Sequence, residues 1–197
     1  MSFKLGLTGS IGMGKSTTAK ILAEEGCAIW DADAAVHRLY SSGGKAVAPM
    51  QSLFPDAIVD GAVSRDRLRA IIQADPSALK KIETIVHPLV AEDRADFIAA
   101  ADADILVFDV PLMFETGGDR NMDAVLVVSV PENIQRDRVM ARGTMTEAQF
   151  QAIKAKQMPD AEKRARADFV VITDSLGHAR AQIQDILEQI RKGQAIA

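Results

Sequence analysis

Gly9, Gly14, Lys15 and Ser16 satisfy the spacing G-x-x-x-x-G-K-[ST], and the chemistry served by that pattern is the holding of a phosphate chain. Glycines at the turn let backbone N–H groups come against phosphate oxygens without a Cβ in the way. A helix opening at Lys15 adds its unpaired N–H groups and the positive end of its dipole. The Lys15 ammonium then reaches the β- and γ-phosphates, and the Ser16 hydroxyl ligates Mg²⁺. The nucleotide-binding set is the run Ile11, Gly12, Met13, Gly14, Lys15, Ser16 and Thr17. An ordinary glycine-rich turn is the plain alternative. Against it, an apolar run at 3–7 and a helical pattern at 17–23 supply the strand–loop–helix setting that the motif requires. These residues make the chain a binder of a nucleoside triphosphate.

Other groups could complete a phosphoryl-transfer site. Asp109 ends an apolar run, Ile105-Leu106-Val107-Phe108, and as a strand-end carboxylate beside the loop-bearing strand it would lie near the Mg²⁺. A helix-cap aspartate is the other reading. Asp31-Ala32-Asp33 follows a second candidate strand, at the end where ligands collect in open α/β sheets. The spacing of two lets one carboxylate cap the following helix while the other faces an acceptor hydroxyl. Arg138 and Arg142 are four apart on one helix face, with Lys163, Arg164 and Arg166 further on. Guanidinium groups neutralise the charge that spreads over a transferring phosphoryl group, although a solvated basic face would read the same way. His87, before Pro88 in apolar company, reads on its own as a satisfied structural residue.

The elements that must position these residues alternate between short apolar runs and longer amphipathic stretches, the pattern of a parallel sheet covered by helices. Strands are expected over 3–7, 28–30, 105–108, 125–130 and 169–172. Helices are expected over 34–40 and 65–73, from Asp75-Pro76 onward, over 132–141, and from a Thr146/Gln149 capping box to about 158. Ile183, Ile186, Leu187 and Ile190 form the apolar stripe of a last helix. The helical stretch from 64 to 101 reads as an insertion where a second substrate docks.

At 197 residues with 25% charged side chains and net charge −4, the chain fits one domain and is no general nucleic-acid or acidic-membrane binder. No segment approaches the ~18 apolar residues of a membrane span, and the N-terminus is not patterned as a signal peptide. Cys27 is the one cysteine, a small apolar residue by its neighbours, so a reducing, cytoplasmic setting is expected. Composition leaves the oligomeric state open.

With these motifs in place the chain resembles the dephospho-coenzyme A kinases over nearly its whole length. Residues 7–16 follow that family's Leu-Thr-Gly-Gly-Ile-Gly-Ser-Gly-Lys-Ser, departing at Ser10 and Met13. The family's Asp-Ala-Asp stands at Asp31-Ala32-Asp33, its His-Pro at His87-Pro88, and its Asp-x-Pro-Leu-Leu-Phe-Glu box at Asp109-Val110-Pro111-Leu112-Met113-Phe114-Glu115. Gln135, Arg138 and Arg142 meet Gln-x-x-Arg-x-x-x-Arg, and Gln157 and Ala167-Asp168 meet later positions. Ile172-Thr173-Asp174 departs from the family, which carries Asn shortly after that strand, so no adenine contact is assigned there.

The resemblance implies a P-loop NTPase-type α/β fold: a parallel five-stranded sheet flanked by helices, with a core over 1–40, 104–135 and 167–197. It also implies a helical acceptor insertion over 41–103 and a lid over 136–166. The implied reaction is transfer from ATP, with Mg²⁺, to the ribose 3′-hydroxyl of dephospho-coenzyme A. Lys15, Asp33, Arg138 and Arg142 would be catalytic, Thr8, Asp33, His87 and Glu115 would line the substrate, and Ser16 and Asp109 would hold the metal. Another small-molecule kinase, for a nucleoside or sugar acid, would share loop, lid and length but not the two aspartate boxes. A GTP-dependent switch would need Asn-Lys-x-Asp and an Asp-x-x-Gly after the third strand, and neither string occurs.

Overall fold

The computed structural model describes residues 2–193. In chain order the elements are β1 (Phe3–Thr8), α1 (Lys15–Glu24), β2 (Ala28–Asp31), α2 (Ala32–Tyr40), α3 (Val47–Leu53), β3 (Ile58–Val59), β4 (Ala62–Val63), α4 (Arg65–Ala74) and α5 (Ala78–Ala100). There follow β5 (Ile105–Asp109), β6 (Ala124–Ser129), α6 (Glu132–Ala141), α7 (Glu147–Lys154), α8 (Asp160–Arg166), β7 (Phe169–Ile172) and α9 (Leu176–Arg191). They divide into two compact units, the first formed by the chain on either side of Asp31–Ala100 and the second by that stretch itself.

The first unit is built on a five-stranded sheet of order β2-β5-β1-β6-β7. β1 runs parallel to both β5 and β6, and β6 runs parallel to β7. The apolar runs are continuous because central strands of such a sheet are covered on both faces. Every residue of β5 and β6 is buried, among them Asp109 at the end of β5. One apolar cluster gathers Leu5 and Leu7 of β1, Ile21 and Leu22 of α1, Leu126 and Val128 of β6, and Ile183 and Leu187 of α9. Cys27 belongs to the same cluster, and burial pushes its thiol up to about 11, which makes it an inert small apolar residue.

The second unit is helical around a core that includes Leu39, Tyr40, Met50, Val63, Leu68 and Ile82. The guanidinium of Arg38 on α2 meets Asp93 of α5 through both carboxylate oxygens, with Nη2–Oδ1 at 2.6 Å and Nε–Oδ2 at 3.2 Å. α5 runs 23 residues through Pro88. A proline there removes one backbone hydrogen bond, yet the buried Ile82 and Val86 hold the helix to its unit on the N-terminal side of it.

Several boundaries differ from expectation for local reasons. α2 starts at Ala32 rather than 34, because Asp31 is its cap and accepts from Ala34 N at 2.9 Å. α5 starts at Ala78, since Asp75 Oδ1 instead accepts from Ser77 N at 2.9 Å and closes a turn. α7 has its expected capping box but stops at Lys154, four residues before 158. Pro159 disfavours helix at Met158, whose N–H goes to Glu115 Oε1 at 2.8 Å. β6 lies one residue earlier than expected, over Ala124–Ser129. The small hairpin of β3 and β4 lies outside the expected strands, although Asp60-Gly61 carries its signal: both residues have positive φ, 49° and 76°, as a tight two-residue turn needs.

Candidate active site

The phosphate loop leaves the carboxyl end of β1 and turns into α1 at Gly14, whose φ of 93° only glycine adopts readily. A Cβ at Gly14 would also lie 2.8 Å from Thr173 Oγ1. The amides of Lys15, Ser16 and Thr17 open α1, so no earlier turn of helix supplies them with carbonyl partners. Ser16 and Thr17 are exposed there. The Lys15 ammonium is ion-paired with Asp109 Oδ1 at the end of β5, the sheet neighbour of β1. An ammonium has three N–H donors, so this pair leaves others for phosphate oxygens. Asp109 is 2% exposed, and its carboxylate and the Ser16 hydroxyl are hard oxygen donors of the kind magnesium takes.

Two glutamines hold the loop by a single residue. Gln135 Nε2 on α6 donates to Ile11 O at 2.7 Å, and Ile11 N donates to Gln157 Oε1 at 3.0 Å. One glutamine precedes the α7 segment and the other follows it, so both feet of that segment are tied to the Ile11 backbone. The sequence pattern singles out both residues without revealing this function.

A cleft of ≈430 Å³ opens beside the loop, lined by Gly14, Thr17, Thr18, Arg138, Arg142 and Thr173, among others. Its volume lies within the ~300–1,000 Å³ typical of small-molecule sites. Asp174 is part of its wall and accepts from His178 Nδ1 at 2.8 Å, a bond that holds the Asp174 carboxyl below the usual range. The Arg138 guanidinium donates to Thr173 O at 2.5 Å and to Thr173 Oγ1 at 3.2 Å, while Arg142 is exposed at the end of α6. Thr173 and Asp174, where the sequence departs from the family pattern and no contact is assigned from it, thus form the cleft wall. Neither residue type signals that position in advance.

Two expected substrate residues have other employment. Thr8 is 0% exposed and its hydroxyl donates to Pro111 O at 3.0 Å, which ties β1 to the segment after β5. Glu115 Oε1 accepts from Met158 N at 2.8 Å and pairs at 3.0 Å with Lys163 Nζ, which also reaches Pro111 O at 3.2 Å. Burial pushes the Glu115 carboxyl up, but these bonds outweigh it and hold the group below the usual carboxylate value. Both side chains therefore have structural partners around the segment that follows β5.

Within the second unit, Asp31 is occupied as the cap of α2, and Asp33 is exposed in the first turn of that helix. His87 lies on α5 and is exposed.

Residues 3–178 match the family described as Dephospho-CoA kinase. A Dephospho-CoA kinase of Ruegeria pomeroyi is 71% identical over 193 residues, covering 98% of each chain. Among solved structures, TT1252 from Thermus thermophilus aligns with a TM-score of 0.85 at 30% identity, over 96% of this chain and 98% of that one. The dephospho-CoA kinase from Campylobacter jejuni shares the fold with a TM-score of 0.70 at 24% identity, over 98% and 99% of the two chains. No helix among the described residues is long and apolar enough to cross a membrane. With its phosphate-loop fold and a match spanning nearly all of its length, the chain belongs to the dephospho-CoA kinase family and is a kinase of the last step of coenzyme A biosynthesis.

Proposed function

We propose that the first unit holds ATP, with its triphosphate along residues 11–17 and its adenosine in the cleft lined by Arg138, Arg142, Thr173 and Asp174, and that the acceptor is the ribose 3′-hydroxyl of dephospho-coenzyme A. The observation that carries this reading is the convergence of Lys15, the opening amides of α1 and a cleft lined by two arginines on one loop. In the transfer, the 3′-oxygen bonds to the γ-phosphorus as the bond to the β,γ-bridging oxygen breaks, and ADP leaves. Asp33, exposed and two residues beyond the carboxyl end of β2, orients the hydroxyl and takes its proton. Lys15 neutralises the β- and γ-oxygens, and Arg138 and Arg142 take up charge on the group in flight. Ser16 and Asp109 would hold Mg²⁺, which supplies charge neutralisation on the phosphates when bound. His87, exposed on α5, is assigned to the acceptor side. A cytoplasmic setting suits these substrates and a lone cysteine buried as a thiol.

The test is an ATP-coupled assay with dephospho-coenzyme A beside adenosine, pantothenate and shikimate, run on the native chain and on Lys15→Ala. The expected result is turnover of dephospho-coenzyme A alone, falling more than about tenfold in a folded Lys15→Ala, since losing one such charge contact costs at least ~1.4 kcal/mol of barrier. Preferred turnover of another acceptor would overturn the substrate reading. A folded Lys15→Ala with more than about a tenth of native activity would overturn the role of the lysine.

A further inference from the structure

Thr173 stands immediately after β7, in the buried wall of the nucleotide cleft, and its hydroxyl joins two parts of the site that the chain keeps far apart in sequence. Oγ1 donates to Met13 O of the phosphate loop at 2.6 Å. A hydroxyl has one proton, so the contact with Arg138 Nη1 at 3.2 Å runs the other way, from the guanidinium to a lone pair of Oγ1. Arg138 Nη2 donates to the carbonyl of the same residue at 2.5 Å. Thr173 is itself fixed, because its N–H donates to Ser129 O at 3.0 Å and so extends the β6–β7 ladder by one bond.

The bond to Met13 O has a geometric consequence. No peptide bond among the described residues is cis, and in a planar trans peptide the N–H points opposite to the C=O. Holding the Met13 carbonyl against Thr173 therefore turns the Gly14 N–H the other way. Gly14 leaves room for this arrangement, since any Cβ there would fall 2.8 Å from Oγ1.

We propose that Thr173 is a positioning residue for phosphoryl transfer: one hydroxyl, anchored to the sheet, sets the direction of the Gly14 amide and the seat of the Arg138 guanidinium together. Through it the phosphate loop and the arginine are held as one unit, so that a shift of either is felt by the other. The inference rests on the proposed contact of Arg138 with the nucleotide and adds a residue that acts through others.

The experiment compares steady-state kinetics of Thr173→Val, Thr173→Ser, Arg138→Ala and the double variant Thr173→Val/Arg138→Ala, all checked for native circular dichroism. Valine keeps the shape and removes both hydroxyl bonds, leaving a buried carbonyl without its partner, so kcat/KM for ATP should fall about tenfold. KM for dephospho-coenzyme A should stay within about twofold, because the change acts on the donor side. Serine should restore most of the loss. In the double variant the valine should cost clearly less than it does alone, as expected of residues acting through one network.

Serine as damaging as valine would assign the loss to methyl packing and overturn the proposal. So would fully multiplicative effects, or a rise in the acceptor KM equal to the loss on ATP. If Arg138→Ala leaves kcat untouched, the proposed role of the arginine falls. If that variant is damaged while Thr173→Val is not, the role of Thr173 falls alone. Should Thr173→Val not fold, amide exchange at Gly14 in Arg138→Ala decides the point. Faster exchange than in the native chain supports the linkage, and unchanged exchange overturns it.

Discussion

Removing the Glu115 carboxylate tests how the end of the α7–α8 segment is fastened. Lys163 is 0% exposed, and its ammonium has the Glu115 carboxylate at 3.0 Å and the Pro111 carbonyl at 3.2 Å as partners. Glu115→Ala leaves that buried charge with one neutral acceptor and strips the acceptor from Met158 N. Breaking a buried pair in this way costs ~3–5 kcal/mol, and a chain of this length loses ~2–4 °C of Tm for each kcal/mol, so a fall of roughly 6–20 °C is expected. Lys163→Met should cost less, about 1–2 kcal/mol, because the Glu115 side chain, 20% exposed, keeps both water and the Met158 N–H. The double variant Glu115→Ala/Lys163→Met should be more stable than Glu115→Ala alone, since it removes the stranded ammonium.

The pH dependence follows from the lowered Glu115 pKa. A depressed folded-state value means that the contribution is complete above the unfolded value of about 4.3 and is lost as the pH falls through the folded value. Glu115→Gln should abolish that portion of the acid-side loss. Urea unfolding of the four variants between neutral and acid pH measures all of this. A cost below about 1 kcal/mol for Glu115→Ala, or a double variant less stable than that single one, would refute the anchoring argument.

Asp33→Asn should lower kcat by about 10²-fold with unchanged Tm, the lower end of a general-base contribution, because the group is exposed and a loose transition state needs little early proton abstraction. Asp31→Asn should stay near native activity and stability, since asparagine caps α2 as well as aspartate; a silent Asp33→Asn beside a damaging Asp31→Asn would reverse the assignment. The segment 138–158 should exchange its amides more slowly when a non-hydrolysable ATP analogue and the acceptor are both bound, and Arg142→Ala should lower kcat more than it raises the acceptor KM. Protection confined to the phosphate loop would return Arg142 to a solvated helix end.

What local sequence determined here is what local chemistry controls. The loop at 9–16 was legible because phosphate binding demands glycine, lysine and a hydroxyl at fixed positions along one strand–loop–helix unit. The strands of the five-stranded sheet were legible because a sheet covered on both faces needs largely apolar runs, and their expected and observed limits agree within about a residue or two, inside the ordinary spread of such boundaries. The Thr146/Gln149 capping box and the apolar stripe of α9 were legible because both are written in spacings of three and four residues.

Tertiary structure alone decided the partners of long polar side chains. Thr8 and Glu115 stand in stretches that resemble a substrate wall, yet their hydrogen bonds go to Pro111, Met158 and Lys163. Gln135 and Gln157 match the family pattern without showing what they bond, and they share the backbone of Ile11, more than a hundred positions away. Thr173 interrupts a familiar pattern and turns out to join the loop to Arg138. A polar side chain buried on folding must find a partner, and no spacing along the chain records which one, because the partner comes into reach only after strands and helices have packed.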